Sequence, residues 1–468
     1  MNKTVLVLLF ALLLLPGEAR AAKPRGTWSG TYNVATPTTT RVAVQLSGRT
    51  ATVALEPGHA ARTTVPIRFK GSRFSFSLPG RPPLVFSGRL RGHRLVGSVR
   101  QGRARGAFRL SRARRLPGYA DLGVYQLDGG STLGLMDFGG IGLSFWAIEL
   151  ESSAFHRLYG AAPRYVVGAG VDVRAPEAGT LRTGASAIDW AGRRGTRLPT
   201  RQLEVRFASP SLGGTLTLPP GSGPFPAAAV VHGSGPSKRD EGQYMTSILV
   251  RRGIAVLAYD KRGNGQSKGN YPGEQASSQT IDTLARDAQA AAAFLAAQPE
   301  IDARRVGLVG GSQAGWIIPL AASRAPVSWS LIESGPVVSV GESDFFASLT
   351  GQGLSSLTRP IEEIEDEVQR AGRSGFDPLP ALRTLRIPIY WAYGGLDRHQ
   401  PTGLDVHVLQ QLRAETGADY TWRVFPNGDH GLFEVQTGLL SERRTSRGLS
   451  PDFVPSVEAW LRAHGLAT

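Results

Sequence analysis

The sequence predicts an α/β fold for residues 201–468, with a mostly parallel, doubly wound sheet preceded by a β-rich region that forms a sandwich or small barrel. Three observations support this prediction. Strand-like and helix-like segments alternate after residue 201, residues 23–115 show only short alternating runs, and residues 116–200 lack long periodic helices. A length of 468 residues is typical of two or three domains that each bury their own core.

The first predicted domain covers residues 23–115. Polar and apolar residues alternate there in short runs, and Gly or Pro interrupts them about every eight to twelve residues, which is typical of antiparallel strands with one solvated face. We interpret its aromatic residues as core: Trp28, Phe74, Phe76, Phe86 and Phe108. Residues 116–200 contain many glycines and further strand-like pieces, and they are predicted to form a second β-rich segment.

From residue 202 the pattern changes to strands and helices in alternation. Short continuous apolar runs at 227–231, 254–259, 306–309 and 328–332 are typical of buried parallel strands. A long helix is predicted over residues 281–297, with Thr280 as its N-cap.

The first 22 residues have the pattern of a secretory signal peptide. Lys3 precedes an apolar run over residues 5–15, and the small residues Ala19 and Ala21 mark a cleavage region. The run is too short to span a bilayer comfortably. We therefore expect a soluble mature protein without a transmembrane anchor, secreted or located in the periplasm or cell envelope. A retained membrane anchor is the alternative.

Charge is distributed unevenly along the chain. The formal net charge is +16, yet residues 23–115 hold two Lys and 17 Arg against one acid, Glu56, so that segment alone carries +18. A concentrated cationic surface attracts polyanions, so an anionic cell-envelope polymer is the expected partner, and no nucleic acid is expected. A merely solvated charged face is the alternative. The chain has no cysteine, which excludes disulfides, cysteine nucleophiles and thiolate metal sites.

The strongest chemical signal lies at residues 305–316. An apolar strand pattern runs into Gly-Gly-Ser-Gln-Ala-Gly-Trp at 310–316, and an apolar helix pattern follows. A strand, a sharp turn and a helix with serine at the apex form a nucleophile elbow, in which the positions two before and two after the serine must be small. Gly310 and Ala314 meet that requirement, so Ser312 is the predicted nucleophile. A plain glycine-serine turn is the alternative.

A serine hydroxyl needs a base, and the base needs a carboxylate that fixes its tautomer. Both partners are expected later in the chain, on loops after strands, in the order Ser, Asp, His. The strand pattern at 388–393 leads to Asp397, and the pattern at 421–425 leads to His430. Asp429 competes for the acid role, but a sequence neighbour does not easily reach the far ring nitrogen of His430. Asp397 is therefore the predicted acid and His430 the predicted base.

The oxyanion of an acyl-transfer intermediate needs main-chain N–H donors from the residue after the nucleophile and from the loop after the third strand. Gln313 occupies the first position. His-Gly-Ser-Gly-Pro at 232–236 follows the predicted strand at 227–231 and offers the second donor from Ser234 or Gly233.

Two further segments carry weaker signals. Asp-Lys-Arg-Gly-Asn-Gly-Gln-Ser at 260–267 lacks the Gly-Lys-Ser/Thr ending of a phosphate loop, so we interpret it as a structural turn near the site and exclude Ser267 as a nucleophile. Residues 341–385 interrupt the strand-helix alternation and include an acidic amphipathic helix. This insertion is predicted to cover the site as a lid, and a plain surface excursion is the alternative.

Together, the motifs at 232–236, 259–267, 310–316, 394–397 and 428–431 resemble those of secreted bacterial α/β-hydrolases grouped with prolyl oligopeptidase-like, dienelactone hydrolase-like and acyl-CoA thioesterase-like enzymes. The resemblance covers about the last 265 residues, with the motifs in the expected order. Ala314 departs from the common pattern, which has glycine there. The resemblance implies a serine esterase or acyl hydrolase, with peptidases among similar proteins.

The preferred hypothesis is hydrolysis of a small-molecule carboxylic ester or acyl substrate through an acyl-enzyme, with no metal or other cofactor. A prolyl oligopeptidase-like serine peptidase is the alternative among enzymes. A hypothesis of another class is an envelope-binding protein that uses the cationic β domain and has little catalysis.

Overall fold

The computed structural model describes residues 25–34, 40–47, 49–56, 63–78, 82–113, 119–137, 144–184, 186–208, 210–273, 275–354 and 356–467. The predicted signal peptide over residues 1–22 lies outside the described residues. Within the described ranges, no helix combines the length and the apolar character needed to cross a bilayer.

Nine antiparallel strands near the N-terminus form one sheet. They are β1 Gly26–Tyr32, β2 Thr40–Ser47, β3 Thr50–Glu56, β4 Thr63–Pro66, β5 Arg68–Lys70, β6 Arg73–Leu78, β7 Leu84–Arg91, β8 Arg94–Gln101 and β9 Ala104–Ala113. Their order is β4-β3-β2-β1-β9-β8-β7-β6-β5, and β4 at one edge also contacts β6 near the other. The sheet therefore curls around its apolar face. The five aromatic residues interpreted as core are buried there: Trp28, Phe74, Phe76, Phe86 and Phe108.

The next eight strands close into an antiparallel barrel. They are β10 Gly123–Leu127, β11 Thr132–Met136, β12 Phe145–Glu149, β13 Ala154–Ala161, β14 Arg164–Val167, β15 Gly179–Thr183, β16 Ala187–Trp190 and β17 Arg193–Arg197. Each strand pairs with its successor, and β17 pairs with β10. Alternate residues such as Phe145 and Ala147 fill the barrel, because successive strand residues point to opposite faces.

The third sheet has eight strands and spans the rest of the chain. They are β18 Arg201–Phe207, β19 Leu212–Leu218, β20 Phe225–Val231, β21 Ala255–Tyr259, β22 Ile301–Gly311, β23 Trp329–Glu333, β24 Ile389–Gly394 and β25 Tyr420–Phe425. Their order is β18-β19-β21-β20-β22-β23-β24-β25. Only the pairings β18 with β19 and β19 with β21 are antiparallel, so the sheet is mostly parallel. This is the α/β-hydrolase fold.

Helices cover both faces of this sheet. They are α1 Gln243–Val250, α2 Ser278–Ala296, α3 Ala314–Ala322, α4 Val340–Thr350, α5 Ile361–Ala371, α6 Leu379–Thr384, α7 Thr402–Thr416 and α8 Phe453–Ala463. Residues of α2, α3 and α7 join one apolar core, and residues of α1 and α8 join the other. The predicted start of α2 was wrong by three residues: Ser277 is the N-cap, and its hydroxyl accepts a hydrogen bond from Thr280 N at 3.2 Å.

The barrel packs directly against the α1 and α8 face of this sheet. Trp146, Ile148 and Phe155 point out of the barrel into a core that also contains Ile248 and Phe453. Polar contacts accompany this packing, because Ser153 Oγ donates to Pro451 O at 3.1 Å and Arg251 bonds to Glu151 and to Leu150 O. Where the barrel meets the sheet, its outer face is therefore buried and not exposed to solvent.

Candidate active site

The turn between β22 and α3 holds its serine in a strained backbone conformation. Ser312 has φ of 55°, a left-handed value that is costly for a residue with a side chain and is found mainly at functional sites. Its own N–H donates to Glu333 O at 2.9 Å, and its carbonyl accepts from Gly315 N at 2.8 Å. The turn therefore fixes Ser312 at the carboxyl end of β22.

The close approach of strand and helix explains the small residues around Ser312. A Cβ at Gly310 would lie 2.2 Å from Val231 O and 2.8 Å from Ala314 Cβ, so only glycine fits. A Cβ at Gly315 would lie 2.5 Å from the main chain of Gly335. The sequence pattern drew attention to Ala314, whereas Gly315 is the position after the serine that has no room for a side chain.

His430 and Asp397, on the loops after β25 and β24, are in direct contact. His430 Nδ1 and Asp397 Oδ2 are 2.8 Å apart, and Asp397 Oδ1 accepts from His399 N at 2.6 Å and from Gln400 N at 3.0 Å. The Asp397 side chain is fully buried and that of His430 is 12% exposed. Main-chain donors thus hold the carboxylate in place, and its second oxygen orients the imidazole so that Nε2 is left for a substrate or nucleophile.

Asp429 lies beside His430 in the sequence but has other partners. One of its carboxylate oxygens accepts from Gly431 N at 2.8 Å and from Phe433 N at 3.1 Å, and the other bonds to the Arg443 guanidinium. Asp429 therefore shapes the histidine loop, and Asp397 is the carboxylate that contacts the ring of His430.

The relation between Ser312 and His430, two members of the expected triad, differs from that between His430 and Asp397. Within the described part of the chain, no hydrogen bond joins Ser312 to His430. In enzymes without ligand such contacts are often long and shorten when substrate binds.

The loop after β20 lies against Ser312. A Cβ at Gly233 would be 3.3 Å from Ser312 Cβ and 3.9 Å from Ser312 Oγ. No group among the described residues accepts a hydrogen bond from the main-chain N–H of Gly233, Ser234 or Gln313. Main-chain donors near a buried site are normally paired, so these three are unusual in having no acceptor among the described residues. Gly233 lies beside Ser312, whereas Ser234 is exposed.

Lys261 links the loop that carries Gly233 to the side chain of Gln313. The sequence did not predict this role for Lys261. It follows β21 and is almost fully buried, and its Nζ donates to Gly233 O at 2.7 Å, to Gly235 O at 3.2 Å and to Gln313 Oε1 at 3.2 Å. One ammonium therefore ties the loop after β20 to the residue that follows Ser312. A lysine two residues after a buried strand was the available signal, because burying an ammonium requires several acceptors.

The rest of the 260–267 segment acts as the predicted structural turn. Asp260 accepts from Gln266 N at 2.7 Å and pairs with Arg239, and Ser267 Oγ donates to Asp260 O at 2.5 Å. His232, at the start of the neighbouring loop, bonds through Nε2 to Tyr259 O at 2.5 Å. Burial lowers the pKa of His232 to about 4, so this ring is neutral at physiological pH.

Two further groups near the site were not expected from the sequence. The His399 ring stacks on the His430 ring, with centroids 4.5 Å apart. Glu333 at the end of β23 accepts a hydrogen bond from the Tyr244 hydroxyl, and burial raises its pKa to about 7. An acidic residue that ends an otherwise apolar strand was the only sequence signal for this buried pair.

The insertion over residues 341–385 forms α4, α5 and α6. Ile364 and Val368 of the acidic helix α5 are buried against Phe346 of α4. This cluster is attached to the loop that carries Asp397, because Thr350 Oγ1 donates to Arg398 O at 2.5 Å and Ser343 Oγ donates to Gln400 Oε1 at 2.9 Å. The insertion therefore packs beside the acid loop.

Comparison with known proteins agrees with this architecture. Residues 224–371, which include Ser312, match the family model described as serine aminopeptidase, S33. The domain therefore has the α/β-hydrolase fold, and its sequence is similar to serine hydrolases.

The relatives include both esterases and peptidases. Esterase EstD of Thermotoga maritima is 28% identical over 229 residues, which cover 43% of this chain and 53% of that protein. The acylamino-acid-releasing enzyme of Rattus norvegicus is 26% identical over 266 residues, covering 53% of this chain and 35% of that protein. The chain thus spans about half the length of the first and about a third of the second. A solved puromycin-hydrolyzing peptidase of Mycobacterium tuberculosis is 17% identical with a TM-score of 0.44, over 93% of this chain and 78% of that one.

Proposed function

We propose that this protein hydrolyses carboxylic esters through an acyl-enzyme formed on Ser312. The observation that carries the proposal is the contact of His430 Nδ1 with Asp397 Oδ2 at 2.8 Å, on the same edge of the sheet as a serine held at a φ of 55°. A strained serine at a strand-to-helix turn, together with a carboxylate-oriented imidazole, is the arrangement that activates a hydroxyl for acyl transfer.

In the proposed reaction, Ser312 Oγ attacks the ester carbonyl while His430 Nε2 takes the hydroxyl proton, and Asp397 stabilises the imidazolium. The N–H groups of Gln313 and of Gly233 or Ser234 bind the oxyanion. The tetrahedral intermediate collapses, the C–O bond to the alcohol breaks, and His430 gives its proton to the leaving alkoxide. Water then attacks the acyl-enzyme with His430 again as base, which releases the acid and restores Ser312.

A fluorophosphonate probe tests the nucleophile directly. We expect labelling of the wild type, none of Ser312→Ala, and normal labelling of Ser323→Ala, whose serine is exposed at the end of α3. Equal labelling of wild type and Ser312→Ala would contradict the proposal. His430→Ala should label far more slowly, because the hydroxyl then lacks its base.

Amide hydrolysis is the second candidate function. It is supported by the match to the serine aminopeptidase family model and by the similarity to an acylamino-acid-releasing enzyme. The same acyl-enzyme serves both reactions, so the distinction lies in the leaving group. A series of nitrophenyl esters of increasing acyl length, measured beside aminoacyl and N-acyl-aminoacyl nitroanilides, separates the two. Peptidase function requires amide turnover that disappears in both Ser312→Ala and His430→Ala.

A further inference from the structure

The nine-stranded sheet carries a groove on the face opposite its core. It has a volume of about 580 Å³, and residues of β5, β6, β7 and β8 line it. The core residues of these strands, among them Phe76, Phe86 and Val99, point to the other side. The groove is therefore lined mainly by the side chains that alternate with the core, and Phe69, Phe74, Gly88 and Gly97 of the core-facing set complete the lining.

The strand register orders the lining residues in two rows across the four strands. In one row, Lys70 is opposite Arg73, Arg73 is opposite Arg89, and Arg89 is opposite Val96. The neighbouring row, two residues along each strand, is formed by Arg68, Ser75, Ser87 and Ser98. Directly opposite residues of an antiparallel pair share a face, so a row with three cations and Val96 runs beside a row with three serines and Arg68.

The cationic row does not serve the stability of the sheet. Side chains directly opposite in antiparallel strands have Cβ atoms about 5 Å apart, and like charges in such positions destabilise the pair. Lys70, Arg73 and Arg89 are all exposed. The only acidic residue between residues 23 and 115 is Glu56, so this segment cannot neutralise the row by itself. An anionic ligand lying along the row would remove the repulsion.

We propose that this groove binds an anionic polysaccharide. The cation row pairs with carboxylate or other acidic groups on the sugar chain, and the serine row exchanges hydrogen bonds with sugar hydroxyls. Single-stranded nucleic acid fits less well, because its binding sites present exposed aromatic rings for base stacking. The two aromatic residues of the groove lining, Phe69 and Phe74, pack against the apolar core, Phe69 half-buried and Phe74 buried. The two rows consist of Arg, Lys, Ser and Val. The site is distinct from the serine hydrolase site, and its function does not depend on catalysis.

Binding of the full-length protein to sodium polygalacturonate tests the proposal, with dextran as the neutral control. We expect saturable binding at low salt that weakens as salt rises, since exposed charges are screened, and no binding to dextran. The triple variant Lys70→Gln, Arg73→Gln, Arg89→Gln should weaken binding about tenfold or more, on the scale of three exposed ion pairs.

The matched control is Arg25→Gln, Arg49→Gln, Arg103→Gln, which removes the same charge from exposed positions next to the strand ends of the same sheet, outside the groove. It should change affinity by less than about threefold. The control variant should keep the wild-type melting temperature, because its altered side chains are exposed. The groove variant should melt at the same temperature or higher, because it removes the repulsion between directly opposite cations.

Three outcomes would overturn the proposal. These are absence of binding to polygalacturonate at low salt, equal weakening by both triple variants, and binding of a thymidine oligonucleotide that is tighter than that of polygalacturonate and equally sensitive to the groove variant. The second outcome would indicate attraction to bulk charge, and the third a nucleic-acid site.

Discussion

Replacing Lys261 by methionine should slow the chemical step without weakening substrate binding. The ammonium donates three hydrogen bonds, two to carbonyls of the loop after β20 and one to the side chain of Gln313. Loss of a direct oxyanion donor costs about 100- to 1000-fold in kcat. Lys261 bonds to Gly233 and Gln313, two of the proposed oxyanion donors, but is not itself a proposed donor. We therefore expect a smaller loss, about 10- to 100-fold in kcat, with KM changed less than about threefold.

The assay is nitrophenyl ester hydrolysis, with active sites counted by the fluorophosphonate so that kcat refers to folded enzyme only. Affinity for a trifluoromethyl ketone, which forms an oxyanion on the serine, should fall in parallel with kcat. Lys268→Met is the matched control, because it removes the same charge from an exposed position in the same loop, and it should be neutral. If kcat per active site and ketone affinity stay within twofold of wild type, Lys261 does not position the oxyanion donors and serves only to fill the loop.

Three other changes give distinct results. Asp397→Asn should lower kcat by about 1000- to 10,000-fold, because His430 loses the partner that fixes its tautomer. Asp429→Asn should lower the melting temperature more than kcat, since Asp429 bonds to Arg443 and its own loop. Equal losses of kcat in the two variants would refute this division of roles. Gly315→Ala places a Cβ 2.5 Å from the Gly335 main chain and should cost about 3 kcal/mol or more of unfolding free energy, so an unchanged urea midpoint would contradict the packing argument. Burial raises the pKa of Glu333 to about 7, so the folded state keeps a proton that the unfolded chain releases near pH 4.5. The free energy of unfolding should therefore fall by up to about 3 kcal/mol as pH rises from 4.5 to 7. Urea unfolding across that range should show a weaker pH dependence of this free energy for Glu333→Gln, and an unchanged pH dependence would exclude Glu333 as the cause.

Local patterns were sufficient to predict the α/β-hydrolase fold and the position of Ser312 at a turn between strand and helix. Short apolar runs that alternate with amphipathic helices have few solutions other than a covered parallel sheet, and the carboxyl ends of its strands lie at one edge. Asp397 could be preferred over Asp429 before any distance was known, because a sequence neighbour does not easily reach the far ring nitrogen of His430, and the structure places Asp397 against His430 Nδ1.

Contacts between segments distant in sequence could not be predicted in this way. Lys261 is 52 residues from Gln313, and Tyr244 is 89 residues from Glu333, and neither pairing leaves a periodic signal. The stacking of His399 on His430 depends on how two loops meet. The alternation of side chains along a strand likewise shows that Trp146 and Ile148 share one face. It does not show whether that face meets water or another part of the protein. In the structure, the face packs against the hydrolase sheet.

From the packing of the barrel on the hydrolase sheet we infer that these two parts fold as one cooperative unit. Main-chain bonds join them, from Phe155 N to Arg447 O at 2.9 Å and from Leu449 N to Ser153 O at 3.1 Å, and the same apolar cluster contains side chains of both. A fragment that starts at Arg201 would expose Ile248, Leu449 and Phe453 to water, so it should aggregate when expressed alone. A fragment that starts at Tyr119 retains the barrel, and it should melt in a single transition and label with the fluorophosphonate.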